Sequence, residues 1–183
     1  EDADVSTRAV AEDFAEILRQ ISGANFPIVA DATPPQPHEI IIGPNNNRLA
    51  LLGLDEIAGG FAQGEYEIRT ADHRLIIAGA PPRGSINGMY GFLQDYLGCR
   101  WFTPGVSRIP VQTKLTLNSI TDRQKPAFRY RSVNSPMHWD GAWTARNRLN
   151  QAKTFGGGPS LSALMSDLRV QTIGNYFSPH AFS

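Results

Sequence analysis

The sequence predicts an α/β fold, a two-layer sandwich in which two helices cover one side of a mixed sheet. Three observations predict it. Residues 6–22 and 84–97 each repeat apolar side chains at i, i+4, i+7 and i+11, one face of a 3.6-residue period. Between them, runs at 38–43, 65–70 and 74–79 are short and either continuously apolar or alternating, as strands are. The chain of 183 residues is 41% hydrophobic, enough to bury a core without metal or disulfide staples.

In the first helix the stripe is Val10, Phe14, Ile17 and Ile21, widened by Leu18. Ser6 or Asp4 can cap its start, and Gly23 sits where a glycine ends a helix. Residues 27–30 read as a short strand, and 31–37, with three prolines, as a loop. Ile40-Ile41-Ile42 within 38–43 fits a strand covered on both faces. Asn45-Asn46-Asn47 is a polar turn, residues 49–54 fit either a short helix or a loop, and Gly59-Gly60 marks a break. Residues 65–70 and 74–79 make a hairpin about Ala71-Asp72-His73. Pro81-Pro82 opens the second helix, with Ile86, Tyr90, Leu93 and Leu97 on one face and Gly98 past its end. Residues 99–102 and 113–117 are further strand candidates, then 126–133, with a helix expected over 139–150.

Charge divides the chain. Net charge is zero, from 17 basic and 17 acidic groups, which removes the generic electrostatic case for nucleic acid. Residues 1–120 carry 9 basic and 14 acidic groups, whereas 121–183 carry 8 and 3, with no Glu. The shift sets the expected boundary, one domain over 1–120 and a second segment over 121–183. No apolar run approaches the ~20 residues that span a bilayer. A first residue other than Met leads us to expect that something once preceded it.

The chemical motifs are sparse. Gly156-Gly157-Gly158 lacks the Gly-Lys-Ser/Thr of a phosphate loop and is followed by Pro159, so a flexible loop is expected. His138-Trp139-Asp140 pairs an imidazole with a carboxylate, but His73 and His180 lack metal-ligand spacing, so neither a metal nor a cofactor is expected. Cys99, flanked by Leu97, Trp101 and Phe102, reads as a small core residue rather than a nucleophile. Ser85 and Ser160 lack a nucleophile elbow. Arg129, Arg131, Trp139, Trp143, Arg146, Asn147 and Arg148 fall within 20 residues. Guanidinium forks and amides can bind sugar hydroxyls or carboxylates, and Trp faces stack on sugar rings. The same groups can equally be ion pairs and core contacts.

The run Gly79-Ala80-Pro81-Pro82-Arg83-Gly84-Ser85-Ile86-Asn87-Gly88-Met89-Tyr90-Gly91-Phe92-Leu93, followed by Leu97-Gly98-Cys99-Arg100-Trp101-Phe102, resembles the N-terminal α/β domain that precedes the catalytic barrel of β-hexosaminidases and α-glucuronidases. It is most similar to large bacterial proteins that carry a domain of unknown function and occur in polysaccharide degraders. Ile21-Ser22-Gly23, Phe26-Pro27-Ile28 and Glu39-Ile40-Ile41-Ile42-Gly43 match upstream. Downstream, Pro126-Ala127-Phe128-Arg129-Tyr130-Arg131 looks like the first strand of a (β/α)8 barrel, and Trp143 to Asn150 like its helix.

The resemblance implies a non-catalytic accessory domain followed by an incomplete first barrel unit. It implies a parent enzyme that hydrolyses a glycosidic bond, a glycan partner and a secreted or periplasmic location. A barrel needs about 250 residues, and only 63 follow residue 120, so the fragment itself is expected to be inactive. In relatives an Arg on the first barrel strand contacts the terminal sugar. Arg131 matches that position, Arg129 is the alternative, and Trp143 and Asn147 are further candidates. Where relatives often have His after the Gly-rich stretch, this chain has Pro159. A stand-alone carbohydrate-binding module and a purely structural domain are the competing expectations.

Overall fold

The computed structural model describes residues 5–133 and 135–150. Among the described residues the chain is mixed α/β, with four α-helices and a four-stranded mixed sheet. The Gly-rich loop at 156–158, Pro159, Ser160, His180 and the rest of the expected barrel unit lie outside the described residues.

Helix α1 spans Val5–Ser22 and buries Val10, Phe14, Ile17, Leu18 and Ile21, the stripe its period predicts. Strand β1 is Ile40–Ile42. Strands β2 (Tyr66–Ala71) and β3 (Arg74–Gly79) form an antiparallel hairpin, and β1 pairs with β3 in parallel. Asp72 and His73 close the hairpin at φ 46° and 63°, the left-handed pair that a tight two-residue turn requires. Helix α3 (Gly84–Asp95) follows, then a two-stranded ribbon of β4 (Arg100–Thr103) and β5 (Val106–Arg108). Strand β6 (Thr121–Gln124) pairs antiparallel with β2, giving the order β1-β3-β2-β6. The sheet thus takes its last strand from just past residue 120.

Both faces of the sheet are covered. On one, α1 and α3 share an apolar cluster with Tyr66, Ile68, Leu75 and Ile77. On the other, helix α2 (Asn47–Leu51) and a 3-10 turn at Asp55–Ala58 cover Ile41, Ile76 and Ala78 with Leu49 and Ile57. Ile41 faces this second cluster while Ile40 and Ile42 pack on the first, as a continuous apolar strand should. The ambiguous stretch at 49–54 is therefore partly helical, and its apolar residues close the second face.

Three expected strands are absent. Residues 27–30 are irregular, with Ile28 and Val29 half exposed and no ladder partner. Residues 113–117 are also irregular: Leu115 packs on the core without a strand beside it, and the chain reaches the sheet only at Ile120. Residues 126–133 form no strand either, and their arginines hydrogen-bond to Gln63 and to backbone carbonyls. The helix expected over 139–150 is shorter, a 3-10 turn at Pro136–Trp139 and helix α4 at Gly141–Arg146.

Candidate functional site at the junction of the second segment

The N-terminus of α3 lies against the sheet at backbone distance. A Cβ on Gly84 would stand 2.4 Å from Glu65 O and 2.5 Å from Gly79 C, and one on Gly79 would stand 2.5 Å from Gly84 C. Only glycine permits this approach. It brings Arg83, the residue preceding the helix, to the end of β3.

The second segment folds down onto the same place. Asp140 accepts the Trp143 N–H at 2.6 Å and caps α4. At the other end Arg148 takes φ 57°. Its N–H donates to Ala145 O and that of Leu149 to Thr144 O, the paired bonds of a Schellman stop. Glycine is the usual residue there; this chain has an arginine. The reversal sets residues 148–150 beside 129–131. Arg131 N–H donates to the Asn150 side-chain oxygen at 2.6 Å, and Asn150 N–H donates to Arg131 O at 3.0 Å.

Three arginines hydrogen-bond at this junction. Arg83 donates to Leu149 O at 2.7 Å, while its Nε is buried with no hydrogen-bond partner among the described residues. Arg131 donates to Arg148 O and Phe128 O, both at 2.8 Å. Arg148 donates to the Tyr66 hydroxyl at 2.9 Å and lies 3.5 Å from Asp95. Burial, then the charge of Arg131, pushes Arg83 down to about 10. Burial, then the charge of Arg148, pushes Arg131 down. Burial raises the Tyr66 phenol, with Arg148 opposing. Tyr66 in turn donates to the Gln124 side-chain oxygen at 2.6 Å.

The four residues expected to touch sugar all fall in this segment, in unequal settings. Arg131 is one of the three junction arginines. Arg129 is exposed and donates to the Gln63 side chain at 2.9 Å. Trp143 is buried, and its indole N–H donates to Trp101 O at 3.2 Å. Asn147 donates to Trp101 O and to Trp143 O. Arg146, of the same sequence cluster, forms a two-pronged ion pair with Asp13 at 2.6 and 3.0 Å, and Tyr90 donates to the same carboxylate at 2.8 Å. Burial pulls Arg146 down, but the hydrogen bond and charge of Asp13 outweigh it and leave it raised. Within residues 126–150, Trp139 is 62% exposed and packed on His138, and Phe128 is 74% exposed.

Other candidate chemistry is absorbed by structure. Cys99 is buried, and burial pushes its thiol up to about 11, so little thiolate exists near neutral pH. Ser85 is buried against Gly79 O. Asp140 caps α4 while His138 turns to Ser135 O. Among the described residues no group of three His, Cys, Asp or Glu side chains could hold a metal ion. A cavity of about 1500 Å³ is an open groove between α1, residues 25–46 and 115–119; none of Arg83, Arg131 and Arg148 lines it.

Sequence reasoning named Arg148 as part of the cluster but read Arg83 only as a helix start, and it missed Tyr66, Asn150 and Asp13. The available signal for Arg83 was its place between a Pro-Pro turn and a glycine. No protein-family model matches the chain, and comparison with curated proteins gives no match.

Proposed function

We propose that the chain is the non-catalytic N-terminal portion of a glycoside hydrolase that degrades glycans, and that it is itself inactive. The reading rests on the resemblance of residues 79–102 to the domain that precedes such catalytic barrels. One observation supports it: those residues form a strand, turn, helix and strand whose Gly79–Gly84 contact excludes any Cβ. The motif's glycines and aromatics serve packing, as an accessory domain requires. Residues 126–150, which resemble the beginning of a barrel, are tied to that motif through Arg83 and Trp101. The catalytic acids would come from a part of the parent outside this sequence, and export would follow from a polymeric substrate.

Aryl-glycoside assays on the 183-residue chain test the reading. Release of the aryl group is expected to stay at the uncatalysed rate; hydrolysis abolished by mutation of a carboxylate in this chain would refute it. A stand-alone carbohydrate-binding module is the second reading, favoured by the exposed rings of Trp139 and Phe128. It requires glycan-array binding that Trp139→Ala removes.

A further inference from the structure

We propose that the outer edge of β1 and the groove beside it bind an extended, uncharged peptide, which adds as a further strand next to Ile40–Ile42. The proposal is independent of the glycosidase reading and concerns a different place on the molecule. It rests on backbone groups left over at one end of the sheet. Strand β1 ends the order β1-β3-β2-β6, so one of its edges has no neighbouring strand among the described residues. Leu75 N–H donates to Glu39 O, and Gly43 N–H donates to Ile77 O. The N–H and C=O of one strand residue point the same way, and successive residues alternate. Glu39, Ile41 and Gly43 therefore turn theirs toward β3, while Ile40 and Ile42 turn theirs outward. Among the described residues these outward groups have no hydrogen-bond partner.

That edge opens on the groove of about 1500 Å³, which Ile40 and Ile42 line together with Phe26, Ile28, Val29 and Leu115. Ile28 and Val29 are 50% and 59% exposed, and residues 26–29 also make no backbone hydrogen bond among the described residues. Arg48 holds the far end of that segment beside β1, because it donates to Asp31 O and Thr33 O as well as to Glu39. Two stretches with idle backbone groups and apolar side chains thus line one open space. An extended chain is the ligand that supplies both the missing backbone partners and side chains for the groove. Its charge follows from the lining, where Arg8, Arg48 and Arg74 stand against Asp31, Glu39 and Asp72. Against that balance a net charge on the ligand gains little, so an uncharged peptide fits. Size argues against a second copy of the chain as the occupant. Three residues at about 3.3 Å each give an edge of about 10 Å, too short for the roughly 1,000 Å² that a stable interface buries.

The test is calorimetric and NMR titration of the full chain with a capped heptapeptide that alternates Val and Thr. Saturable binding of one peptide per chain is expected. In the free chain the Ile40 and Ile42 amides should exchange with water faster than that of Ile41. Bound peptide should slow their exchange roughly tenfold or more and leave Ile41 unchanged. N-methylation of alternate peptide amides keeps the side chains and removes the donors along one edge. At least one of the two N-methylated forms, odd or even, should bind roughly tenfold more weakly. Ile40→Pro removes an outward N–H without removing a bond to β3 and should weaken binding to the same degree. Phe102→Ser, at an exposed apolar position outside the groove, should leave binding unchanged. The proposal is overturned if binding does not saturate, or if exchange at Ile40 and Ile42 stays as it was. It is also overturned if both N-methylated forms bind as the parent does, which would make the groove a site for apolar groups of any shape. A dimer of the free chain that Ile40→Pro dissociates, seen by sedimentation, would give the edge to a second copy and overturn it too. Should Ile40→Pro fail to fold, the N-methylated peptides and the exchange rates of the unmutated chain decide.

Discussion

The Glu39 carboxylate receives the Gln36 amide and the Arg48 guanidinium while lying at the edge of the sheet. Burial pushes this carboxyl up, but the Gln36 bond, the Arg48 bond and charge, and the charge of Arg74 together hold it below its ordinary value of 4.5. A carboxyl lowered in the folded state binds protons less readily than in the unfolded chain. Its contribution to stability is therefore full above the unfolded value and is lost as pH falls through the folded one. Glu39→Gln should be less stable than the unmutated chain at neutral pH. The gap should close as pH drops below 4.5. Urea unfolding of both proteins across that range measures the gap; a gap of constant size would show that ionisation of Glu39 contributes nothing. At this scale the sequence was only partly legible. Arg48 lies nine residues from Glu39, and Asp13 lies 133 from Arg146, so neither pair has a local spacing to betray it. Arg148 was visible as a charge, but its left-handed backbone and its bond to Tyr66, 82 residues away, follow from tertiary packing.

Elements were legible where a period carried them. Helix α1 buries the stripe that its spacing predicts, because it has one wide apolar face; α3 buries Ile86, Tyr90 and Leu93 of its stripe but is enclosed all round from Gly84 to Leu93. Strand β6 is the opposite case. Its residues, Thr121-Asp122-Arg123-Gln124, carry no apolar alternation, since it is an edge strand held by backbone pairing to β2 and by Arg123 to Glu65 at 2.9 Å. Polar edges of this kind also discourage sheet-to-sheet association. Residues 27–30 mislead in the other direction, apolar in sequence yet without a partner strand. The most constrained joint is between α3 and the hairpin. Gly84→Ala would drive its Cβ into Glu65 O at 2.4 Å, backbone against backbone, with no flexible side chain to yield. It should destabilise the protein by about 3 kcal/mol, the upper part of the overpacking range. Gly59→Ala, whose added Cβ would meet nothing within 4 Å, should have a far smaller effect. Parallel chemical denaturation of the two variants separates steric overpacking from a general intolerance of alanine.

For the whole molecule, the charge shift near residue 121 suggests two segments, whereas the contacts join residues 121–150 to the sheet at many points. Strand β6 completes the sheet, Trp143 lies under Trp101, Arg146 reaches Asp13 on α1, and Arg83 on α3 holds Leu149 O. Trp143 and Ala145 belong to the same apolar cluster as α1 and α3. A segment so anchored has no core of its own to keep it folded alone: α4 is 6 residues long, far below the length at which an isolated helix persists. Residues 5–133 and 135–150 should therefore unfold as one cooperative unit. Trp101 and Trp143 make fluorescence a reporter of the junction, while far-UV circular dichroism reports the helices and sheet. Their urea transitions should coincide, as two-state unfolding requires. Trp143→Ala should move both midpoints together and cost about 3 kcal/mol, as expected for emptying a buried indole site. A variant that lost protection from hydrogen exchange over 141–147 alone, while the sheet kept its stability, would instead make the second segment a separable appendage. Its charge asymmetry would then mark a real domain boundary at 121. Coincident transitions would mean that the acidic and basic parts of the chain balance within one folded unit, with the junction arginines at the place where they meet.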